Sequence, residues 1–285
     1  MKTILWSSAA IVVIALFAFS PAKSHGRLPK EIRKEYVYVP NGGLTKPEGS
    51  IQVGAFFIKS AEITNAEYRE FIRDLQKNGD REALQIAMPD TTAWRMETTY
   101  LEPFVQYYFS HPAYDEYPVV CISYEGAKAW CDWKTKKALS EKTKDGYTAY
   151  YRLPTKDEWI YAAQNAKPQS IYSWGGNDIK NLKGCLLCNF NPSPEDADGD
   201  PNLPAGMEDN ATITAPVKSY APSAWGIYNQ NGNVAEMISD QGIAMGGSWR
   251  SKRTEVTNTS EVVFTSPNPM VGFRPVVVYM KSQIK

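Results

Sequence analysis

The distribution of turn-forming residues constrains this chain more than any other feature. It contains 19 glycines and 19 prolines in 285 residues, and Asn, Asp, Gly and Pro dominate residues 168–222. Because these residues favour turns and interrupt helices and strands, long regular elements are excluded from much of the chain. We therefore predict one α+β domain with little regular secondary structure, without an internal repeat and without a second folded domain.

Three helix starts and four strands can be placed between the turns. Thr64 with Glu67 and Thr155 with Glu158 have the spacing of capping boxes, and Ser123 has the position of a third N-cap. Short runs of apolar and β-branched residues predict the strands. These strands are expected at residues 35–40, 54–58 and 119–122, and over the final "VGFRPVVVYM".

The N-terminus has the pattern of an export signal. Lys2 is followed by the apolar run of residues 11–17, and Ala22-Lys23-Ser24 places small residues for cleavage after Ser24. An uncleaved membrane anchor is the alternative, although this run is short for a membrane span. No cysteine lies near the junction, so a lipid-anchored start is not supported. The expected organisation is a signal peptide at 1–24, a polar linker at 25–34 and a domain at 35–285.

Charge and motif content exclude several classes of partner. The chain has 31 basic and 31 acidic residues, for a formal net charge of zero. A neutral chain gives no overall electrostatic reason to expect binding to nucleic acid or to an anionic membrane. Glycine-rich phosphate loops are absent from the sequence, so nucleotide binding has no support either.

The four cysteines of the exported chain are candidates for disulfides. Sequence proximity pairs Cys121 with Cys131 and Cys185 with Cys188, but four cysteines allow three connectivities. The second pair also has the spacing of a redox motif, without the strand and helix expected around one. A zinc site made from all four is a further alternative.

The chain contains few residues that could support nucleophilic catalysis. The chain has two histidines: His25 lies beside the expected cleavage site, and His111 lies in an aromatic loop. A Ser-His-Asp triad would have to use His111, whose simpler role is a hydrogen bond within that loop. Histidine-rich iron sites and catalytic zinc sites cannot be built from this supply.

Oxygen-bearing side chains instead favour a hard cation such as calcium. They are concentrated in the loops of the second half of the chain, where irregular backbone also offers carbonyl oxygens. The segment "DADGDP" fails as an EF-hand because Pro201 and Met207 stand where glycine and glutamate are needed. "NQNGNVAEM" is the better candidate. The full set is Asn189, Asp196, Asp198, Asp200, Asp209, Asn229, Asn231, Asn233 and Glu236.

Together the motifs resemble those of the formylglycine-generating enzyme, or sulfatase-modifying factor, family. The resemblance rests on "GIYNQNGNVAEM", "GGSWR" and "GFRPV" near the C-terminus, and on the earlier "EITNAEYREF", "YPVVCISYEGAKAWCDW" and "YRLPTKDEWIYAA". It spans roughly residues 35–280. It implies the compact, loop-rich α+β fold of that family, which is related to C-type lectins.

The same resemblance implies that the family's oxidative chemistry is missing. The family's oxidases carry two copper-binding cysteines just after the GGS turn, and the matching positions here are Ser251 and Val256. Neither side chain replaces a thiolate, so we expect no copper and no catalytic residue of the family type. Cys131 matches a family cysteine that usually has a disulfide partner, and Cys121 is the expected substitute partner.

Two structural calcium sites are also implied by the resemblance. The first comprises the side chains of Asn189 and Asp209 with the carbonyls of Phe190 and Ala211. The second comprises the side chains of Asn229 and Glu236 with the carbonyls of Gly232 and Val234.

A narrower resemblance is to the periplasmic ring proteins of type IX secretion and gliding motility in Bacteroidetes, the K component. It rests on "MPDTTAW", "EPFVQYYFSHPAYDEYPVV", "GCLLCNF" and "GNVAEM". It implies a non-catalytic periplasmic protein that forms an oligomeric ring with other envelope proteins. The aromatic loop at 88–118 either contacts such partners or packs onto its own domain.

Two other functions stay open at this point. One is a formylglycine-type oxidase that acts on a protein cysteine through Cys185 and Cys188. The other is a calcium-dependent ligand-binding module, as the relation to lectins suggests.

Overall fold

The computed structural model describes residues 28–95, 101–140, 147–165, 167–193, 196 and 211–281. Within them lie helices α1 (Lys30–Glu35), α2 (Asn65–Asn78), α3 (Arg81–Ala87), α4 (Glu102–Tyr107), α5 (Tyr124–Ser140) and α6 (Lys156–Gln164). The strands are β1 (Tyr36–Val39), β2 (Gly42–Lys46), β3 (Gly49–Val53), β4 (Phe56–Lys59), β5 (Tyr147–Arg152), β6 (Ala235–Met237), β7 (Ile243–Met245), β8 (Glu261–Val263), β9 (Val271–Phe273) and β10 (Val276–Lys281). The prediction of a loop-rich α+β domain is confirmed.

The expected helix starts are confirmed in atomic detail. The Thr64 side chain accepts from the Glu67 N–H at 3.2 Å, and the Glu67 carboxylate accepts from the Thr64 N–H at 2.9 Å. Thr155 and Glu158 form the same reciprocal pair at the start of α6. Ser123 Oγ accepts from a backbone N–H in the first turn of α5. These bonds satisfy N–H groups that have no acceptor inside the helix.

Two four-stranded sheets and one hairpin form the β structure of the described residues. The first sheet has the order β1-β4-β10-β5 and is antiparallel throughout. The second has the order β8-β7-β6-β9, with β6 and β9 parallel. Strand β10, predicted as the last element, pairs with β4 on one side and with β5 on the other, so the C-terminal segment completes the first sheet.

The strand predicted at 119–122 is wrong. Cys121 has a φ of 60°, in the left-handed region that extended strands do not use. The Val119 N–H bonds to the Ile63 carbonyl at 2.8 Å, while the Cys121 N–H bonds to Asn268 at 3.1 Å. The segment is therefore buried, irregular backbone that leads into α5. Its apolar composition reflects burial, which an irregular segment and a core strand share.

The polar linker predicted at 25–34 is also wrong over its described part. Residues 30–35 form α1, and Leu28 and Ile32 are only 4% and 0% exposed. Both side chains belong to the largest apolar cluster, which packs α2 and α5 against strands of both sheets. The folded domain therefore begins by Leu28. The predicted signal peptide at 1–24 lies outside the described residues.

No helix in the described part of the chain is both long enough and apolar enough to cross a bilayer.

The packing of α1 has a direct thermodynamic test. We expect Ile32→Ala to lower the free energy of unfolding by about 2–5 kcal/mol, because it empties a fully buried site. The exposed neighbour Lys30→Ala serves as the control and is expected to change it by less than about 0.5 kcal/mol. Urea unfolding followed by circular dichroism measures both. Equal stabilities for the two variants would mean that this segment is a linker and does not contribute to the folded core.

Candidate functional site

The GGS turn owes its glycines to the close approach of neighbouring backbone. Gly246 and Gly247 have φ values of 89° and 69°, which residues with a Cβ rarely adopt. A Cβ on Gly246 would lie 2.3 Å from the Gln230 carbonyl oxygen, and one on Gly247 would lie 2.2 Å from the Glu255 carbonyl oxygen. The glycines therefore serve packing, whether or not the turn has a catalytic role.

The Ser251 hydroxyl is held inside that turn. Its Oγ accepts a hydrogen bond from the Ser248 N–H at 3.1 Å and lies 3.5 Å from Ser248 Oγ. The Ser251 carbonyl accepts from the Asn191 N–H at 2.8 Å. Ser251 thus stabilises the turn and the neighbouring loop, and it offers a hydroxyl where the resembling oxidases have a thiolate.

Val256 belongs to a closed apolar cluster. It is fully buried together with Ile179, Cys188 and Phe190. A valine has no lone pair and no proton to exchange, so this position contributes packing alone. Across the described residues there is no group of three His, Cys, Asp or Glu side chains able to hold a metal ion.

The expected disulfides are not formed in the structure, where all four cysteines are free thiols. Cys121 packs in the aromatic cluster that contains Trp94, whereas Cys131 lies on α5 in the largest apolar cluster. Because the two thiols lie in different clusters, their proximity in the sequence does not bring them together in the fold. Cys188 is buried, and Cys185 is half-buried.

Burial also removes most of the thiol chemistry. It raises the pKa of Cys121, Cys131 and Cys188 well above the ordinary value, because a thiolate in an apolar cluster is poorly solvated. These three side chains are therefore protonated at neutral pH. Since the thiolate is the reactive form, the Cys185–Cys188 motif has at most one accessible nucleophile.

The aromatic loop packs mostly onto its own domain. Trp94 lies 4.8 Å from Tyr108 and 6.2 Å from Trp249 between ring centroids. Tyr107 is the main exception, at 50% exposure. His111 accepts a hydrogen bond at Nδ1 from a backbone N–H two residues later, which is the structural role and not that of a general base.

The asparagines of the 229–233 loop bond to distant backbone. Asn231 Oδ1 accepts from the Ser173 N–H at 2.7 Å. Asn233 Oδ1 accepts from the Ala215 N–H, also at 2.7 Å. Both side chains are 1% exposed. These two amides join segments far apart in sequence, so their first role is to organise loops that lack regular backbone bonding.

Glu236 and Arg274 form a fully buried ion pair next to this loop. Arg274 Nε lies 3.0 and 2.9 Å from the two carboxylate oxygens, and Nη2 lies 2.6 Å from Oε1. Trp159 Nε1 donates to Oε2 at 2.7 Å. A carboxylate has about four lone-pair positions, and these four contacts use them.

Glu62 is a second buried carboxylate on the same arginine. Its Oε2 lies 3.9 Å from Arg274 Nη2, and its Oε1 accepts from Asn233 Nδ2 at 2.8 Å. Burial raises the pKa of Glu62 to about 7, with Arg274 opposing the shift and the Glu236 charge adding to it. Two carboxylates thus share one guanidinium, and burial together with their mutual repulsion favours the protonated form of Glu62.

Sequence reasoning missed Glu62 and Trp159 and assigned no role to Arg274. One signal was available: Arg274 is the one charged residue in "VGFRPVVV". A charge in so apolar a run requires a buried carboxylate partner. Nothing in the local sequence says which carboxylate that is.

The structure describes three members of the first predicted calcium set, Asn189, Phe190 and Ala211, and the calcium site stays a prediction. Asn189 donates from Nδ2 to the Ile213 carbonyl at 2.8 Å, which orients the amide. Its Oδ1 is buried without a hydrogen-bond partner among the described residues, so this oxygen is available to coordinate a cation. Phe190 is fully buried and Ala211 is half-buried. Asp209 lies outside the described residues.

The second predicted set fits only in part. The Oδ1 of Asn229 is likewise buried without a partner. Gly232 and Val234 lie in the same loop region. Glu236, however, is occupied by Arg274 and Trp159, so the structure does not support it as a calcium ligand.

A cleft of about 540 Å³ opens beside the turn that carries Ser251. Arg253 lies on one wall, with its guanidinium 3.6 Å from Asp196 and 3.4 Å from Asp178. The cleft therefore presents charges of both signs next to the substituted cysteine positions. Its lining comprises Asn191, Pro192, Ser193, Asp196, Lys252, Arg253 and Thr254.

Fold and site define a formylglycine-generating-enzyme-like domain, with Ser251 and Val256 at the two positions predicted to match the family's cysteines. A model of the sulfatase-modifying factor enzyme 1-like domain matches residues 22–278, and the chain belongs to this family. The predicted family is thereby confirmed.

Relatives include proteins named as formylglycine-generating enzymes and proteins named as inactive ones. The inactive C-alpha-formylglycine-generating enzyme 2 of Bos taurus is 24% identical over 263 residues, covering 80% of this chain and 79% of that protein. The formylglycine-generating enzyme of Thermomonospora curvata is 34% identical over 126 residues, covering 44% of this chain and 33% of that protein.

Solved structures support the fold. PvdO from Pseudomonas aeruginosa aligns with a TM-score of 0.54 at 17% identity, covering 85% of this chain and 93% of its own. CarF aligns with a TM-score of 0.54 at 18% identity, covering 85% and 97%. The narrower resemblance to secretion ring proteins is not addressed by these matches and stays a prediction.

The buried carboxylate pair has a pH-dependent consequence. Glu62 has a pKa of about 7 when folded and an ordinary value of 4.5. Folding therefore favours its protonated form, and this contribution to stability is present below pH 4.5 and lost as pH rises through 7. We expect Glu62→Gln to be more stable than the wild type at pH 8, by on the order of 1–3 kcal/mol, and the difference to shrink towards pH 4.5.

Urea unfolding at several pH values, with a chelator present, measures this difference. Glu236→Gln is the control, and we expect it to destabilise the fold by about 3–5 kcal/mol because Arg274 loses its main partner. A Glu62→Gln variant that is less stable than the wild type at pH 8 would mean that folding does not raise the pKa of Glu62.

Proposed function

We propose that this protein is a non-catalytic structural protein of the periplasm, of the kind that builds the type IX secretion and gliding-motility ring. One observation carries the proposal. At the two positions where the resembling oxidases have cysteines, this chain has Ser251, bonded within a turn, and Val256, sealed in an apolar cluster.

The chemistry of these replacements supports a non-catalytic role. A serine hydroxyl is a hard, weakly acidic group and a poor ligand for copper, and valine offers no ligand at all. Burial keeps Cys121, Cys131 and Cys188 protonated, so they do not substitute as thiolates. We therefore expect no copper and no cysteine oxidation at this turn.

The comparisons are in keeping with this proposal. Two mammalian relatives that match most of the chain are named as inactive formylglycine-generating enzymes. An inactive member of the family is thus not unusual. The assignment to an envelope ring rests on the sequence resemblance and on the expected export signal.

The cleft beside Ser251 is the surface we propose for a protein partner. Several aromatic rings of the loop at 88–118 pack around Trp94 and are not available to a partner. The cleft instead offers Lys252 and Arg253 together with Asp196. Charges of both signs on one wall favour a charged, hydrogen-bonding segment of another ring protein or of a second copy.

A calcium ion at the first predicted set is the cofactor we propose. Asn189 Oδ1 and the Phe190 carbonyl would hold it from one loop, and Asp209 with the Ala211 carbonyl from another. Its role would be structural, because it would tie together segments that have few backbone hydrogen bonds.

Calcium binding is tested by thermal unfolding with calcium or with a chelator. At a concentration about 100-fold above the dissociation constant, calcium should stabilise the protein by about 2.7 kcal/mol. We expect Asn189→Ala to abolish this gain. The matched variant Asn229→Ala should keep it, because Glu236, the carboxylate of its predicted set, is held by Arg274 and Trp159. Loss of the gain in Asn229→Ala alone would restore the second set and reject the first.

Catalysis is tested with a peptide that contains the Cys-x-Pro-x-Arg motif, incubated with the purified protein and copper. We expect no formylglycine by mass spectrometry, because neither Ser251 nor Val256 binds copper. An active formylglycine-generating enzyme is the positive control. Conversion of the peptide would overturn the non-catalytic proposal and direct attention to Cys185.

Partner binding is tested by cross-linking the tagged protein in its native envelope and identifying captured proteins. We expect ring proteins of the secretion machinery, and we expect Lys252→Glu with Arg253→Glu to reduce their recovery about ten-fold or more. Lys77→Glu with Arg81→Glu, which changes the same charge on exposed residues of α2 and α3, is the control. Recovery of a sulfatase-like client, or of no envelope partner, would contradict the proposal.

A further inference from the structure

A tight turn at residues 179–187 presents a leucine to solvent. Leu182 is fully exposed, and it is the most exposed large apolar side chain of the described residues, ahead of Val263 at 75%. Lys183 beside it is also exposed and forms no ion pair with another residue of the described ranges. The tip of this turn therefore carries one apolar and one cationic side chain, neither of which contributes to the packing of its own domain.

The turn is held in place by hydrogen bonds and by its buried base. Asn181 Oδ1 accepts from the N–H groups of Lys183 and Cys185 at 2.8 and 3.1 Å. At the base, Ile179 and Leu186 are buried in an apolar cluster. The tip is therefore presented in a fixed conformation, and docking it onto a partner costs little conformational entropy.

A groove of about 510 Å³ between α2, α3 and α5 has the complementary character. Its apolar walls comprise Phe71 and Leu75 of α2, Ala83 of α3, and Ala129 and Trp133 of α5. A recess of this size accommodates an apolar side chain together with the aliphatic stem of a lysine.

The lining of the same groove is acidic overall. It includes three carboxylates that form no ion pair with another described residue: Asp74, Asp80 and Asp132. Two lysines also line the groove, but Lys137 is paired with Glu70 at 2.6 Å, which leaves Lys136. Three carboxylates against one available ammonium group leave an excess of negative charge, and this excess favours a cationic side chain in the groove.

We propose that the tip of the 179–187 turn docks into the α2–α3–α5 groove of a second copy of this chain. Leu182 then packs on the apolar walls, and Lys183 faces the carboxylates. The charge complementarity of the two surfaces supports a second copy as the occupant. The choice also rests on the proposed ring function, which requires contacts between subunits.

The two surfaces make this contact head-to-tail. The base of the turn belongs to one apolar cluster, and the walls of the groove belong to another. Each contact leaves a free groove on one copy and a free tip on the other, so its repetition builds a ring or a filament. A contact this small is weak between two copies and is strengthened when a ring closes, because each copy is then held on two sides.

Sedimentation velocity over a wide concentration range, on protein purified from cells that express the full sequence, measures the self-association. We expect Leu182→Asp to weaken it about ten-fold or more, because the change removes the apolar anchor and adds a charge that the groove repels. Val263→Asp makes the same kind of change at another exposed apolar side chain and should associate as the wild type does.

The groove is tested by Asp132→Arg, which should also weaken association. Glu48→Arg, on the exposed turn between β2 and β3, is its matched control. All of these positions are exposed, so we expect the variants to fold, and circular dichroism with thermal unfolding checks this.

Mixing the two site variants distinguishes head-to-tail docking from a symmetric interface. Leu182→Asp keeps an intact groove, and Asp132→Arg keeps an intact tip, so an equimolar mixture can form one contact per pair. We expect dimers and no larger species in the mixture, and monomers when either variant is alone at the same concentration.

A wild-type protein that stays monomeric at every concentration would overturn the proposal, as would association that Leu182→Asp leaves unchanged. A mixture of the site variants without dimers would reject the head-to-tail arrangement. Loss of association in Val263→Asp would instead assign the contact to the edge strand β8.

Capture of envelope proteins is measured separately from this association. Self-association without captured ring proteins would reject the proposed function alone. Captured ring proteins without self-association would reject this inference alone.

Discussion

One buried guanidinium joins the two four-stranded sheets. Arg274 lies between β9 and β10, its Nη1 donates to the Lys59 carbonyl in β4 at 3.0 Å, and its Nε and Nη2 hold Glu236 in β6. Nη2 also donates to the Tyr228 carbonyl at 2.6 Å, at the start of the asparagine-rich loop. An unpaired charge at this depth would cost several kcal/mol, so the sheets must keep the positions that satisfy it. The positions of the loop and of the neighbouring turns therefore depend on the Arg274–Glu236 ion pair.

The contacts of the GGS turn are likewise structural. Gly246 and Gly247 are required because carbonyl oxygens approach them closely, and Trp249 is packed against Trp94. None of these contacts needs a cysteine at position 251 or 256. The GGS turn can therefore lose its redox residues and remain necessary for folding, and its presence is no argument for catalysis.

The sequence shows which types of side chain the site contains, but it does not show how they are arranged. The sequence offers Asn189 and Asn229 as oxygen donors, and both have a buried Oδ1 without a partner among the described residues. The same pattern includes Glu236, yet its carboxylate is saturated by Arg274 and Trp159. A motif identifies which atoms are available. It does not identify a side chain from a distant part of the chain that binds the same atoms.

The sequence by itself determined what is local. Capping at Thr64 and Thr155, the loop-rich fold class and the missing thiolates all follow from residue types at short spacing, and bonds within one turn of backbone depend on little else. Tertiary structure decided the rest: the left-handed backbone at Cys121, the free cysteines, and the separation of Lys183 on its turn from the aspartates that line the groove of α2, α3 and α5. A net charge of zero contains no information about that separation, because only packing decides which charges meet and which face solvent.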